Sequence, residues 1–113
     1  MLDETYLLDM FNAAFKAMNF VAGLDFDKFK ASELHQSAVV KQLEVIGEAA
    51  NRVSESFKSN HPEILWRQII GMRHRLIHDY TRIDVSTVWE TVQTDLSELI
   101  DQLKPLIPEE DET

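Results

Sequence analysis

Cysteine is absent from this 113-residue chain. No disulfide and no thiolate-held metal can form, which fits a reducing compartment. Glycine and proline are scarce, three of each, so few breakers interrupt the chain and its elements should be long. No apolar run approaches the ~18 residues of a membrane span. The opening "MLDETYLLDM" carries acids where a signal peptide carries basic residues. From these absences a soluble, cytoplasmic protein is expected. Positive charge is also short: 11 Lys and Arg stand against 20 Asp and Glu, a formal net charge of −9. That balance argues against a broad nucleic-acid-binding surface. The little positive charge there is has been gathered in one place. Between Trp66 and Arg82, four arginines (Arg67, Arg73, Arg75, Arg82) meet one acid, Asp79, leaving that stretch at +3 and the remainder at −12.

What is present is helical periodicity, almost from end to end. A first helix is predicted from about Asp3 to Ala22, with Leu7, Met10, Ala14, Ala17 and Val21 on its inner stripe and Phe11, Phe15 and Met18 as a second apolar row. Gly23 stops it. "LDFDKFKAS" follows as a short turn of helix or an ordered loop. Ser32 caps a second helix running to about Lys58, with Val39, Leu43, Ile46, Ala50, Val53 and Phe57 inward. Gly47 and Ala49 allow a neighbour to come close. Pro62 suits the first position of a third helix that ends near Tyr80. Asp84 caps a fourth, with Val85, Val88, Trp89, Val92, Leu96, Leu99, Leu103 and Leu106 on one side; Pro105 and Pro108 end it. The expected fold is all-α, an antiparallel four-helix bundle in a single domain over residues 1–107. Residues 108–113 form an acidic tail without apolar content, expected to be disordered.

The third helix carries "RHRLIHDY", Arg73 to Tyr80. On an ideal helix Trp66, Ile69, Ile70, Leu76, Ile77 and Tyr80 fall within about 60° of Arg73, which puts an arginine in the middle of an apolar stripe. Arginine is rarely buried without a partner. Arg73 is therefore expected to meet a carboxylate, a set of carbonyls, an interface or a bound anion, unless its stem packs while its head reaches water. His74, His78 and Arg67 share a flank about 100–140° away. Arg73 and His78 converge only where the helix ends or distorts, or where two copies face each other across a two-fold axis.

Histidine moves protons near neutrality and arginine matches phosphate oxygens with a planar fork. Together they suit phosphodiester cleavage in RNA by attack of the 2′-hydroxyl, with no metal required. Three other uses remain open on spacing alone. His74 and His78, at i and i+4, make half of a zinc site, though catalytic zinc usually takes three protein ligands. Basic groups near a helix C-terminus are stabilised by the dipole. Trp66, Arg73 and Tyr80 are also residue types that anchor protein partners.

The same residues resemble a known family. Arginine, four residues, histidine, any residue and tyrosine is the signature of HepT-like toxins in the HEPN superfamily. "VVKQLEVIGEAANRVSESFKSNHPEILWRQIIGMRHRLIHDY" is similar to the family's central block, and "DVSTVWETVQTDLSELIDQL" to its last helix. The resemblance implies a helical bundle that forms a homodimer through the motif-bearing region. It implies a ribonuclease toxin of a toxin–antitoxin pair, with Arg73 and His78 catalytic and RNA as substrate. Its partner would be an MntA-like minimal nucleotidyltransferase antitoxin, which silences the toxin by transferring AMP from ATP to the motif tyrosine, Tyr80. No cofactor is implied for this chain, since the partner uses the ATP. His74, Arg75 and Arg67 are candidates for RNA phosphate contacts. The alternative is a non-catalytic binding subunit of a nucleotidyltransferase complex, in which this face serves docking.

Overall fold

The computed structural model describes residues 2–76 and 82–108, excluding the side chain of His74. Among these residues the chain is all-α. Helix α1 (Leu2–Phe20) and helix α3 (Glu33–Arg52) are its two long members. The short α2 (Phe26–Lys30) lies between them, where "LDFDKFKAS" left open a turn or a loop. Then come α4 (Glu55–Asn60), α5 (Trp66–Ile70), α6 (Met72–Leu76), α7 (Val85–Glu90) and α8 (Leu96–Leu103). Residues Thr91–Asp95 join α7 to α8 as a π-helical segment, and a 3₁₀ turn, Lys104–Leu106, follows.

The inward faces follow the periodicity. Leu7, Met10, Ala14, Ala17 and Val21 of the first stripe are buried, as are Val39, Leu43, Ile46, Ala50 and Val53 of the second. Val88, Val92, Leu96, Leu99 and Leu103 complete the core. The second row of α1 stays near the surface: Phe15 is 46% exposed and packs edge-on against Phe11, ring centres 5.1 Å apart. The caps are where the sequence places them. Ser32 Oγ accepts from the His35 amide at 3.2 Å, and Asp84 Oδ1 from the Thr87 amide at 3.1 Å. Gly23 takes φ +83°, a backbone conformation that glycine adopts without a Cβ clash.

Helices α1 and α3 run antiparallel, with Asp3 at the start of one bonded to Ser54 just past the end of the other. Two expectations need correction here. The second helix stops at Arg52 instead of running to Lys58, because Ser54 starts a new helix, accepting from the Phe57 amide at 3.2 Å while its own N–H and hydroxyl donate to Asp3 at 2.9 and 2.7 Å. Pro62 does not open the third helix. It lies in a turn that ends at Trp66, whose indole Nε1 donates to the His61 carbonyl at 3.0 Å. His61 (φ −132°, ψ 63°) lies outside the α region, which the residue before a proline avoids.

The third helix is itself divided at Gly71, the residue that closes α5. Glycine is about 1 kcal/mol poorer than alanine inside a helix. The π segment has a local cause as well: Thr91 and Thr94 hydroxyls donate to the carbonyls four residues back, Thr87 at 2.8 Å and Glu90 at 2.7 Å. Such back-bonding loosens the α ladder.

Candidate active site

One close approach sets the level at which the charged residues meet. Gly47 of α3 lies against α5 so tightly that a Cβ there would stand 3.2 Å from the Ile69 carbonyl oxygen. The third helix runs opposite to α3 at this point. Glu44 is one turn before Gly47, and Arg73 is one turn after Ile69. The contact therefore brings their side chains together, and Arg73 Nη1 donates to Glu44 Oε2. Of the partners expected for Arg73, the structure supplies a carboxylate, 29 residues earlier in the chain.

Arg73 does not occupy the apolar stripe. Its side chain is 59% exposed, and Met72 takes the inward place instead, together with Trp66 and Leu76. Trp66 and Met72 are six residues apart and would diverge by about 120° on one ideal helix. The division at Gly71 accompanies this change of face.

The Arg73–Glu44 pair stands on a ridge between two grooves. Val40, Lys41, Glu44 and Arg73 line both. The larger, about 920 Å³, runs toward α2 and the start of α7. Its walls carry Lys30, Lys41, Arg73 and Arg82, set against the acids Glu33, Glu44 and Asp84. In a chain of net charge −9, a groove with four cations and three acids is a local reversal of sign. The smaller, about 560 Å³, lies between α1, α3 and α5, floored by Val45, Ile69 and Ile70 and edged by Tyr6, Asp9 and Arg52. Tyr6 and Glu48 beside Arg52 raise the pKa of that guanidinium further above its ordinary value.

Of the residues singled out from sequence, His78 and Tyr80 lie outside the described residues, as does Asp79. The described flanks of that stretch are drawn together, the Asp84 amide donating to the Leu76 carbonyl at 2.7 Å. His74 belongs to α6, and its side chain is outside the description. Arg75 faces away from Arg73, into a separate cleft of about 260 Å³ beside α8, near Asp95, Glu98 and Glu63. Arg67 is exposed and lines none of these three spaces. The described arginines of the island are thus dispersed, except that Arg73 and Arg82 share the larger groove. Among the described residues no three His, Asp or Glu side chains converge as a metal would need.

Sequence reading missed Glu44, Lys41 and Lys30. Periodicity carries no sign of them, because they join the site from α2 and α3 through tertiary contact. The one signal in the sequence was the place of Glu44, an acid set between the apolar Leu43 and Val45.

Comparison with known proteins gives a consistent answer. The family model described as "Ribonuclease HepT-like" matches residues 10–106. A protein of Thermococcus cleftensis named "Probable ribonuclease HepT" is 38% identical over 96 residues, covering 85% of this chain and 87% of that one. A "Putative RNase" of Caldanaerobacter subterraneus subsp. tengcongensis is 34% identical over 90 residues, 80% of each chain. Another "Putative RNase", from Methanocaldococcus jannaschii, is 30% identical over 109 residues, 96% of this chain and 94% of the other. No solved structure matches the chain.

Proposed function

This chain belongs to the ribonuclease HepT-like family, and we propose that it is an endoribonuclease acting as the toxin of a toxin–antitoxin pair. Arg73 and His78 are its catalytic residues. The observation that carries the reading is Arg73, standing exposed on the wall of a groove where four cations outnumber three acids in an otherwise acidic protein. A guanidinium so placed meets phosphate without first being dug out of a core.

The chemistry is transesterification. The 2′-oxygen forms a bond to the adjacent phosphorus, the bond to the 5′-oxygen breaks, and a 2′,3′-cyclic phosphate and a 5′-hydroxyl result. His78 transfers the protons and Arg73 stabilises the charge that gathers on the phosphoryl oxygens. Neither role calls for a metal. Lys30, Lys41 and Arg82 supply phosphate contacts along the groove, with His74, next to Arg73 in the chain, as a further contact. The active unit is a homodimer in which the motif-bearing regions of two copies face each other. A minimal nucleotidyltransferase neutralises it by moving AMP from ATP to the Tyr80 hydroxyl: the phenol oxygen, losing its proton, bonds to the α-phosphorus and pyrophosphate leaves. The added phosphate places negative charge next to the motif and competes for Arg73.

The test uses the purified chain in chelator with single-stranded RNA, beside His78→Ala and Arg73→Ala. Mass spectrometry first establishes that Tyr80 carries no nucleotide. Cleavage by the wild type, lost in both folded variants, is the expected result. Equal cleavage by His78→Ala overturns the assignment. A folded, unmodified wild-type chain that leaves RNA intact points instead to the non-catalytic docking subunit.

A further inference from the structure

We infer that Glu44 is a positioning residue for Arg73, holding one corner of the guanidinium so that the rest of its fork faces the basic groove. This rests on the reading of Arg73 as the group that meets the phosphate. Four observations carry it.

The contact is made through one nitrogen, Nη1, and a guanidinium has five donors in one rigid plane. Fixing one corner sets the direction of the others. Glu44 also passes over the local alternative. Lys41, one turn back on the same helix face, is at the spacing that usually pairs, yet the ion pair formed is across helices to Arg73. Lys41 is left lining the groove. The third observation is the rigidity of the support. Glu44 sits mid-way along the 20-residue α3, between the buried Leu43 and Ile46, whereas Arg73 lies just past the division of the third helix at Gly71. A side chain beside a helix break gains most from an anchor on a continuous helix. The fourth is exposure. With side chains 59% and 33% exposed, the pair adds little to the stability of the fold. Orientation is what remains for it to supply, at the ridge where both grooves meet.

The carboxylate also tempers the arginine's charge before RNA arrives. Removing it should therefore leave substrate binding intact or tighter while the chemical step suffers. The experiment compares kcat and KM on single-stranded RNA for the wild type, Glu44→Gln, Glu44→Asp and Glu48→Gln, with thermal melts of each. Glu48→Gln makes the same charge change one turn along, where Glu48 meets only Arg52 in a surface pair of 3.5 Å among the described residues. Glu44→Gln should lose about ten- to a hundredfold in kcat, the usual range for a lost orienting partner. KM should be equal or lower. Glu44→Asp should recover part of the loss, and Glu48→Gln should stay within about twofold of wild type. In nitrogen-15 spectra, the Arg73 side-chain N–H signal should broaden or vanish in Glu44→Gln.

Glu44→Gln with wild-type kcat, beside an inactive Arg73→Ala, overturns the positioning role and leaves the ribonuclease assignment standing. So does a loss confined to KM, or an equal loss in Glu48→Gln. A wild type that does not cleave RNA overturns the assignment of Arg73, and this inference with it.

Discussion

Replacing Gln36 with leucine tests how the wall of the basic groove is held. Gln36 is polar yet 7% exposed, and its Nε2 donates to two carbonyls, Phe29 at 3.0 Å and Lys30 at 2.9 Å. These belong to the last turn of α2, a helix of five residues whose end carbonyls otherwise lack intrahelical partners. Leucine nearly fills the same volume but donates nothing, so the change removes two hydrogen bonds without opening a large cavity. Each is worth about 0.5–1.5 kcal/mol net. The Phe29 carbonyl keeps a second donor, the Ser32 amide at 3.1 Å, which puts the loss in the lower half of the combined range, about 1–2 kcal/mol. In a domain near this size each kcal/mol moves Tm by about 4–8 °C, so a fall of about 5–15 °C is expected. Circular-dichroism melts measure it, and amide exchange locates it. The amides of Phe29, Ala31 and Ser32, bonded within and just beyond α2, should lose protection before those of α3. A Tm within about 2 °C of wild type, with α2 protection unchanged, would refute the idea that Gln36 secures this helix. Lys30 rides on α2, so the same loosening should weaken RNA binding at low salt more than at high salt.

Two further changes probe the frame around the site. Gly47→Ala gains about 1 kcal/mol of helix propensity but pushes a methyl against the Ile69 carbonyl, and overpacking costs about 1–3 kcal/mol. The net should be a destabilisation near 1 kcal/mol, read as a lower denaturant midpoint at unchanged slope; a raised midpoint would mean that α5 yields freely. Asp3 is held below its ordinary carboxyl pKa, first by the Ser54 hydroxyl and then by the Ser54 amide. Because the folded pKa is the lower one, its stabilisation is complete above about pH 4, the unfolded value, and is lost as pH falls through the folded value. Asp3→Asn should therefore lower Tm at pH 7 and converge on wild type in strong acid, and a difference independent of pH would exclude this linkage.

Some of this protein was settled by its sequence alone. The inner faces of α1, α3 and α8 and the caps at Ser32 and Asp84 depend on residues no more than about four apart, because helical hydrogen bonds and helical faces are local. The family signature is also a local string. The breaks were harder to read, for a matching reason. Ser54 ends α3 partly through Asp3, 51 residues away, and the turn at Pro62 is held by Trp66 reaching back to His61.

The surroundings of Arg73 belong wholly to tertiary structure. Periodicity put it on the buried stripe, and the division at Gly71 accompanies its place outside, with Met72 inside. The sequence stated that such an arginine needs a partner and offered 20 acids. Only the close passage of α5 over Gly47 selected Glu44, and only the approach of α2 and α7 brought Lys30 and Arg82 to the same groove. Burial follows the repeat of one helix, whereas charge pairing follows which helices abut, and that is decided when the whole core packs.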